Sequence, residues 1–196
     1  ISDAVYDGRL HAAEGVERRH LLLTQDAHPS LASVGVRYVP VAHSGRSQSC
    51  EEEASAISEI YVNLLKQEFV EKDGVRHTLG TEDILVVSPY NLQVNLLKRF
   101  LPEGARVGTV DKFQGQEAAV VIVSMATSSG EELPRDIEFL YSKNRLNVAI
   151  SRAKCLALVV ASPDLMSIGC STPEQMALVN TLCWVKDYSD AQKAAT

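Results

Sequence analysis

In Val107-Gly-Thr-Val-Asp-Lys-Phe-Gln-Gly-Gln-Glu-Ala-Ala-Val-Val-Ile-Val-Ser-Met125, a polar turn containing glycine runs straight into an uncharged stretch. Thr109 and Asp111 lie where a short strand, residues 106–110, breaks into a loop. Gly115 permits close approach of a backbone, and Gln114 and Glu117 set polar groups ahead of the next strand, residues 119–125. Upstream, Ile84-Leu-Val-Val87 is the short apolar run expected of a strand covered on both faces in a parallel sheet. Residues 35–41 and 156–161 supply further strands.

Helical patterns fill the intervals. Ser49 with Glu52 forms a capping-box signature. It opens a helix whose stripe Ile57, Ile60, Tyr61, Leu64, Leu65 and Phe69 packs on the sheet, while Glu59, Lys66 and Glu68 face water. Ser88-Pro89 starts a second helix with Leu92, Leu96, Leu97 and Phe100 inward, stopped by Pro102 and Gly104. A third helix is expected from about Lys143 to Ala153 and a last one, capping the sheet, from Pro173 to Val185. Strands alternating with helices predict an α/β fold with a mostly parallel sheet. Residues 1–34 show little periodicity beyond Leu21-Leu22-Leu23 and are taken as a lead-in helix and connecting strand. Residues 35–196 are taken as the domain proper.

Composition narrows the function classes. At 196 residues, with 45% hydrophobic and 22% charged residues, the chain can bury a sizeable core and is not a disordered type. Its apolar runs fall short of the roughly 20 residues a membrane span needs, and Ile1-Ser2-Asp3 is no signal-peptide start, so a cytoplasmic protein is expected. The absence of an initial methionine suggests a fragment of a longer chain. Cys50, Cys155, Cys170 and Cys183 are scattered with no histidine at ligand spacing, so no metal site and no disulfide framework is expected. A net charge of −6 argues against gripping nucleic acid by bulk electrostatics, so any such contact is local.

The apparatus that binds a triphosphate is missing. No Gly-Lys dipeptide of a phosphate loop occurs, and no apolar strand ends in Asp-Glu. The isolated chain is therefore expected to be inactive as an ATPase. What remains is Asn144-Arg-Leu-Asn-Val-Ala-Ile-Ser-Arg-Ala153, in which Arg145 and Arg152 lie seven apart and so share one side of the expected helix beside Leu146, Ile150 and Ala153. Arginines at such a rim can pair phosphate oxygens bidentately, the role of an arginine finger. With the strand ends of residues 84–94 and 107–117, these residues are expected to gather at the carboxyl ends of the strands, where α/β folds place ligands.

These residues resemble a known family. Thr109-Val-Asp-Lys-Phe-Gln-Gly-Gln-Glu117 and Arg145-Leu-Asn-Val-Ala-Ile-Ser-Arg-Ala153 are similar to motifs V and VI of superfamily 1 helicases, and Ser88-Pro-Tyr-Asn-Leu-Gln93 to motif IV. The branch is that of the nonsense-mediated-decay and immunoglobulin-mu-binding helicases and of bacterial helicases fused to a RecB-like nuclease. The resemblance covers residues 82–163 and implies a RecA-like, P-loop NTPase type sheet with helices on both faces, the second domain of a helicase motor. It implies ATP and Mg2+ as cofactors, the metal ligands lying on a missing first RecA-like domain, and single-stranded nucleic acid as partner, DNA more than RNA, with 5′-to-3′ travel.

Carried over residue by residue, Arg152 is the catalytic finger on the γ-phosphate, Gln114 and Gly115 face the nucleotide, Glu117 binds the ribose, and Arg145 and Gln93 join the nucleotide site. Thr109, with Asp111 and Lys112, contacts the strand. Some relatives place an arginine directly after the motif IV glutamine; here Val94 stands there, and whether Arg145 substitutes stays open. Two other readings remain: a non-catalytic interaction module that keeps the fold, and an unrelated nucleotide-binding regulatory domain. The second of these requires a glycine-rich phosphate loop that is not visible in the sequence.

Overall fold

The computed structural model describes residues 15–128, 143–167, 169–170 and 173–194. Among the described residues, eight strands fall in chain order: β1 (His20–Leu22), β2 (Gly35–Pro40), β3 (Glu68–Val70), β4 (Arg76–Thr78), β5 (Ile84–Val87), β6 (Arg106–Gly108), β7 (Ala118–Ser124) and β8 (Ala153–Ala161). Four α-helices accompany them: α1 (Glu51–Leu64), α2 (Asn91–Phe100), α3 (Lys143–Ile150) and α4 (Pro173–Ala194). Five strands form one sheet in the order β2-β8-β7-β5-β6, every neighbouring pair parallel. This is the RecA-like α/β architecture expected.

Alternation explains why the central strands are apolar along most of their length. Ile84, Val86, Val120, Ile122, Leu156 and Leu158 face one core, closed by Ile57, Ile60, Tyr61 and Leu64 of α1 and by Val94 and Leu97 of α2. Leu85, Val87, Val121, Val123, Ala157 and Val159 face the other, closed by Phe113, by Leu146, Ala149 and Ile150 of α3, and by Leu182 and Val185 of α4. With both faces covered, the runs Ile84–Val87, Ala118–Val123 and Leu156–Ala161 are apolar in both phases, so no polar alternation survives there. Among the described residues no helix is long and apolar enough to cross a membrane.

Several expectations are corrected. Helix α1 stops at Leu64, because Lys66 N–H bonds Asn63 O (3.1 Å) and Gln67 N–H bonds Leu64 O (2.9 Å), closing tight turns. Gln67 Nε2 adds a bond to Asn63 O at 3.0 Å. Phe69 therefore leaves the helical stripe and sits buried in β3, opposite Leu21 in a small antiparallel sheet ordered β1-β3-β4. That pairing joins the lead-in residues to the rest of the chain. The N-cap of α1 is Cys50, whose Sγ accepts from Glu53 N–H, rather than Ser49. Tyr90 occupies the N-cap of α2 without a side-chain bond, and Ser88 Oγ accepts from Tyr90 N–H at 3.4 Å. The buried side of α2 is Gln93, Val94 and Leu97, while Leu92 is 57% and Phe100 38% exposed. Helix α4 continues past Val185 to Ala194, where Arg37 Nη1 bonds Ser189 O at 3.0 Å and ties it to the edge strand β2.

Candidate functional site

Helix α3 ends before its second arginine. Ser151 N–H bonds Asn147 O (2.8 Å), Arg152 N–H bonds Ala149 O (3.2 Å), and Ser151 Oγ donates to Val148 O (3.0 Å). Arg152 thus stands in the turn that leads into β8, not on the helix face it was expected to share with Arg145, whose side chain lies outside the described residues. The carbonyl of Arg152 accepts from Ala118 N–H at 3.1 Å, and Ala118 pairs with Ala153. One backbone bond therefore sets Arg152 beside the segment ending at Glu117.

Within that segment Gln114 N–H bonds Asp111 O (3.3 Å) and Gln116 N–H bonds Phe113 O (3.0 Å). Gly115 holds φ 78°, a left-handed value, with open space where a Cβ would stand. Backbone conformation, rather than crowding, favours glycine there. Gln116 Oε1 accepts from Arg106 Nη2 at 2.6 Å, which anchors the loop to the start of β6. Gln114, Gly115 and Glu117 are exposed, so their polar groups face outward. Arg152 Nε is buried and has no hydrogen-bond partner among the described residues, as is Asn147 Nδ2. An unpaired buried donor costs roughly 1–3 kcal/mol, more when charged, and a phosphate oxygen is the kind of acceptor that removes that cost.

The site expected at one end of the sheet is divided between two. Glu117 and Arg152 immediately precede β7 and β8, at the amino ends of the strands, whereas Thr109 and Ser88 follow β6 and β5 at the carboxyl ends. Thr109 is the N-cap of a 3-10 turn, Val110–Phe113, that starts the crossing from one edge to the other while burying Phe113. Lys112 Nζ donates back to Val107 O (3.3 Å) and lies 5.5 Å from the centre of the Phe113 ring. Asp111 and Lys112 are exposed.

At the carboxyl edge, buried polar groups join the loops that follow β2, β5 and β7. Glu53 Oε2 accepts from Ser124 Oγ (2.6 Å) and Ala126 N–H (3.0 Å), and Glu53 Oε1 bonds His43 Nε2 (3.0 Å). His43 Nδ1 bonds Ser128 Oγ (2.7 Å), and Ser128 Oγ accepts from Arg46 N–H (3.0 Å). Gln93, expected at the nucleotide, is fully buried here: Nε2 donates to Ser124 Oγ (2.9 Å) and Cys50 O (3.1 Å), and Oε1 accepts from Cys50 N–H (2.7 Å). Both amide protons are engaged, so none is left for a ligand in this arrangement. At the rim Arg46 pairs with Glu52 through two bonds (2.8 and 3.1 Å), which hold that carboxyl down at about 2.

Sequence reading missed Glu53, His43, Ser124 and Ser128. The available signal was Glu53 itself, a carboxylate four residues before Ile57 on the inward stripe of α1. His43, Cys50 and Glu53 place their ligand atoms within 4.8 Å of one another, but His43 and Glu53 already satisfy each other and the neighbouring hydroxyls. Burial pushes the Cys50 and Cys155 thiols up to about 12, so at pH 8 they stay protonated. The thiolate is the nucleophile. Peptide mapping after iodoacetamide treatment at pH 8 should find these two labelled at least about a hundredfold more slowly in native than in denatured protein.

Residues 1–164 match a family model described as AAA domain. Putative helicase MOV-10 of Gallus gallus is 32% identical over 193 residues, covering 85% of this chain and 19% of that protein. DNA polymerase alpha-associated DNA helicase A of Schizosaccharomyces pombe is 30% identical over 164 residues, 78% of this chain and 24% of that protein. RNA helicase Mov10l1 of Mus musculus is 32% identical over 133 residues, 64% and 11% respectively. The chain therefore spans a quarter or less of each of these relatives.

Proposed function

We propose, from the premise that this chain belongs to the AAA domain family as the C-terminal RecA-like region of superfamily 1 helicases, that it is the half of an ATP-driven strand motor that senses the γ-phosphate. The observation that carries this reading is the Ala118 N–H to Arg152 O bond, which sets Arg152, whose Nε is buried with no partner among the described residues, beside Ala118, the residue that follows the Gln114–Glu117 loop in the chain. At that amino edge Arg152 acts as the finger that stabilises charge on the transferring phosphoryl group. Gln114 and Gly115 line the nucleotide, Glu117 takes the ribose hydroxyls, and Arg145 is a second candidate for the phosphates. A Walker-motif domain of the same parent protein supplies the phosphate loop and the Mg2+ ligands. ATP, when bound between the two, supplies the free energy of phosphoryl transfer.

The carboxyl edge meets the single strand, with Thr109 on a backbone phosphate and Asp111 and Lys112 beside it. DNA and 5′-to-3′ travel follow from the family resemblance. A relative named an RNA helicase and another named a DNA helicase both match this chain, so both polymers belong in the test. In a titration of the isolated chain and the full-length parent with single-stranded RNA and DNA, the parent should show strand-stimulated ATP hydrolysis. The isolated chain should show none above background and only weak strand binding that falls with salt, because the domain is acidic overall. Turnover by the isolated chain would overturn the two-domain reading. Tight, salt-resistant binding by it would favour a stand-alone interaction module.

A further inference from the structure

We propose that Glu53 is the positioning residue of the strand-contacting edge, holding three loops in one arrangement. The proposal rests on the reading of that edge given above. Each loop is tied to the same buried carboxylate or to a group it holds. The turn after β7 is held by Ser124 Oγ and Ala126 N–H, the loop after β2 through His43, and the start of α2 through Ser124 and Gln93. Ser128 N–H bonds Arg46 O (2.9 Å), and Thr127 Oγ1 donates to Ser47 O (2.7 Å) and lies 3.1 Å from Tyr90 Oη, so the turn after β7 is also joined directly to the loop after β2 and to the start of α2.

The backbone shows what the carboxylate works against. Ala126 has φ 61°, the one positive value among the described non-glycine residues, and is fully buried. For alanine this conformation costs about 1–2 kcal/mol and persists only where the surroundings hold it. The bond from Ala126 N–H to Glu53 Oε2 is such a hold. One arrangement of donors that fits these distances has Glu53 as the acceptor, His43 donating from Nε2, and the Ser128 hydroxyl donating to Nδ1 while accepting from Arg46 N–H. Burying a charge is tolerable when it is met by several donors in this way. Conversely, a divalent cation would have to displace bonds that are already made.

The test uses the full-length parent carrying Glu53→Ala, Glu53→Gln or Ser124→Ala, with ATPase followed as a function of single-strand concentration. Glu53→Ala should raise the half-saturating strand concentration about tenfold or more while kcat at saturating strand stays within about threefold. Glu53→Gln should stay within about threefold of wild type in both. Its carbonyl can accept from Ser124 and Ala126, and its NH2 can donate to His43 once the imidazole proton moves to Nδ1. If Glu53→Ala does not fold, Ser124→Ala decides, with an expected rise of about threefold in half-saturation at unchanged kcat.

Equal losses in kcat and half-saturation would mean a merely structural group and would overturn the proposal. So would unchanged half-saturation in Glu53→Ala or, where that variant does not fold, in Ser124→Ala, or a stoichiometric metal in the purified wild type. A wild-type parent whose hydrolysis no strand stimulates would overturn the motor reading, and this proposal with it. Stimulated wild type with Glu53→Ala and Ser124→Ala both unaffected overturns this proposal alone.

Discussion

If Arg152 is the proposed finger, Arg152→Ala in the full-length parent is expected to lower kcat for ATP hydrolysis about 10³-fold or more and to leave ATP binding nearly intact. The size follows from where the charge is needed. A finger meets charge that develops in the transition state, so its removal weakens that state far more than bound ATP. The turn that carries Arg152 is fixed at both sides, by its own N–H on Ala149 O and by its carbonyl on Ala118 N–H. Truncation beyond Cβ therefore removes the guanidinium without moving the Gln114–Glu117 loop. Arg152→Lys should remain impaired at least about tenfold, because a point charge on a flexible stem cannot reproduce a planar fork that pairs two oxygens. Strand binding measured without nucleotide should survive in both variants, since Thr109 lies at the opposite edge. Steady-state ATPase, fluorescent-nucleotide binding and strand anisotropy on the three proteins check the result. Near-normal turnover in both variants would reduce this turn to a packing element.

Ile122→Ala destabilises the domain by about 2–5 kcal/mol, a large part of the roughly 5–15 kcal/mol that holds a domain folded. Ile122 is fully buried in β7, between β5 and β8, and belongs to the core that α1 and α2 close. Strand neighbours on both sides restrict relaxation, so the deleted atoms leave a cavity rather than a collapsed gap. Val62→Ala is the control. It lies on α1, is 49% exposed, and should change stability by no more than about 0.5 kcal/mol. Urea unfolding of the three proteins should show a lowered midpoint for Ile122→Ala at an unchanged m-value. A shift as small as that of Val62→Ala would mean that the β7 core is not packed as described.

The parallel sheet was legible because burial on both faces leaves unbroken apolar runs, as in Ile84–Val87 and residues 119–123. Helix α2 was legible as a helix but not in its facing. Gln93 reads as a surface residue by type, and only the partners supplied by Cys50 and Ser124 make its burial tolerable. The sheet β1-β3-β4 left no periodic trace, since its strands are three residues long and Arg76, His77 and Thr78 are all exposed. Arg152 was singled out for its side chain, while its position in a turn depended on Ser151 and on a bond to a residue more than thirty positions away. Glu53 and Ala126 illustrate the same limit. A carboxylate that holds a left-handed alanine 73 residues further on obeys no local pattern.

The division of the candidate residues between the two ends of the same strands has a mechanical consequence. β7 runs from beside Arg152 to Ser124, roughly 20 Å at about 3.3 Å per residue, and it is hydrogen-bonded on both sides and covered on both faces. A sheet so braced bends little and turns as a body. If closure on a nucleotide rotates the domain by about 10° around its amino edge, the carboxyl edge sweeps roughly 3.5 Å, close to the 3.4 Å rise of one base along a strand. The strands then act as the arm of a lever with its load and its drive at opposite ends. On the proposed motor reading, step length follows from the length of β7 and the angle of closure, and no part of the domain has to change its internal shape for such a motor to advance.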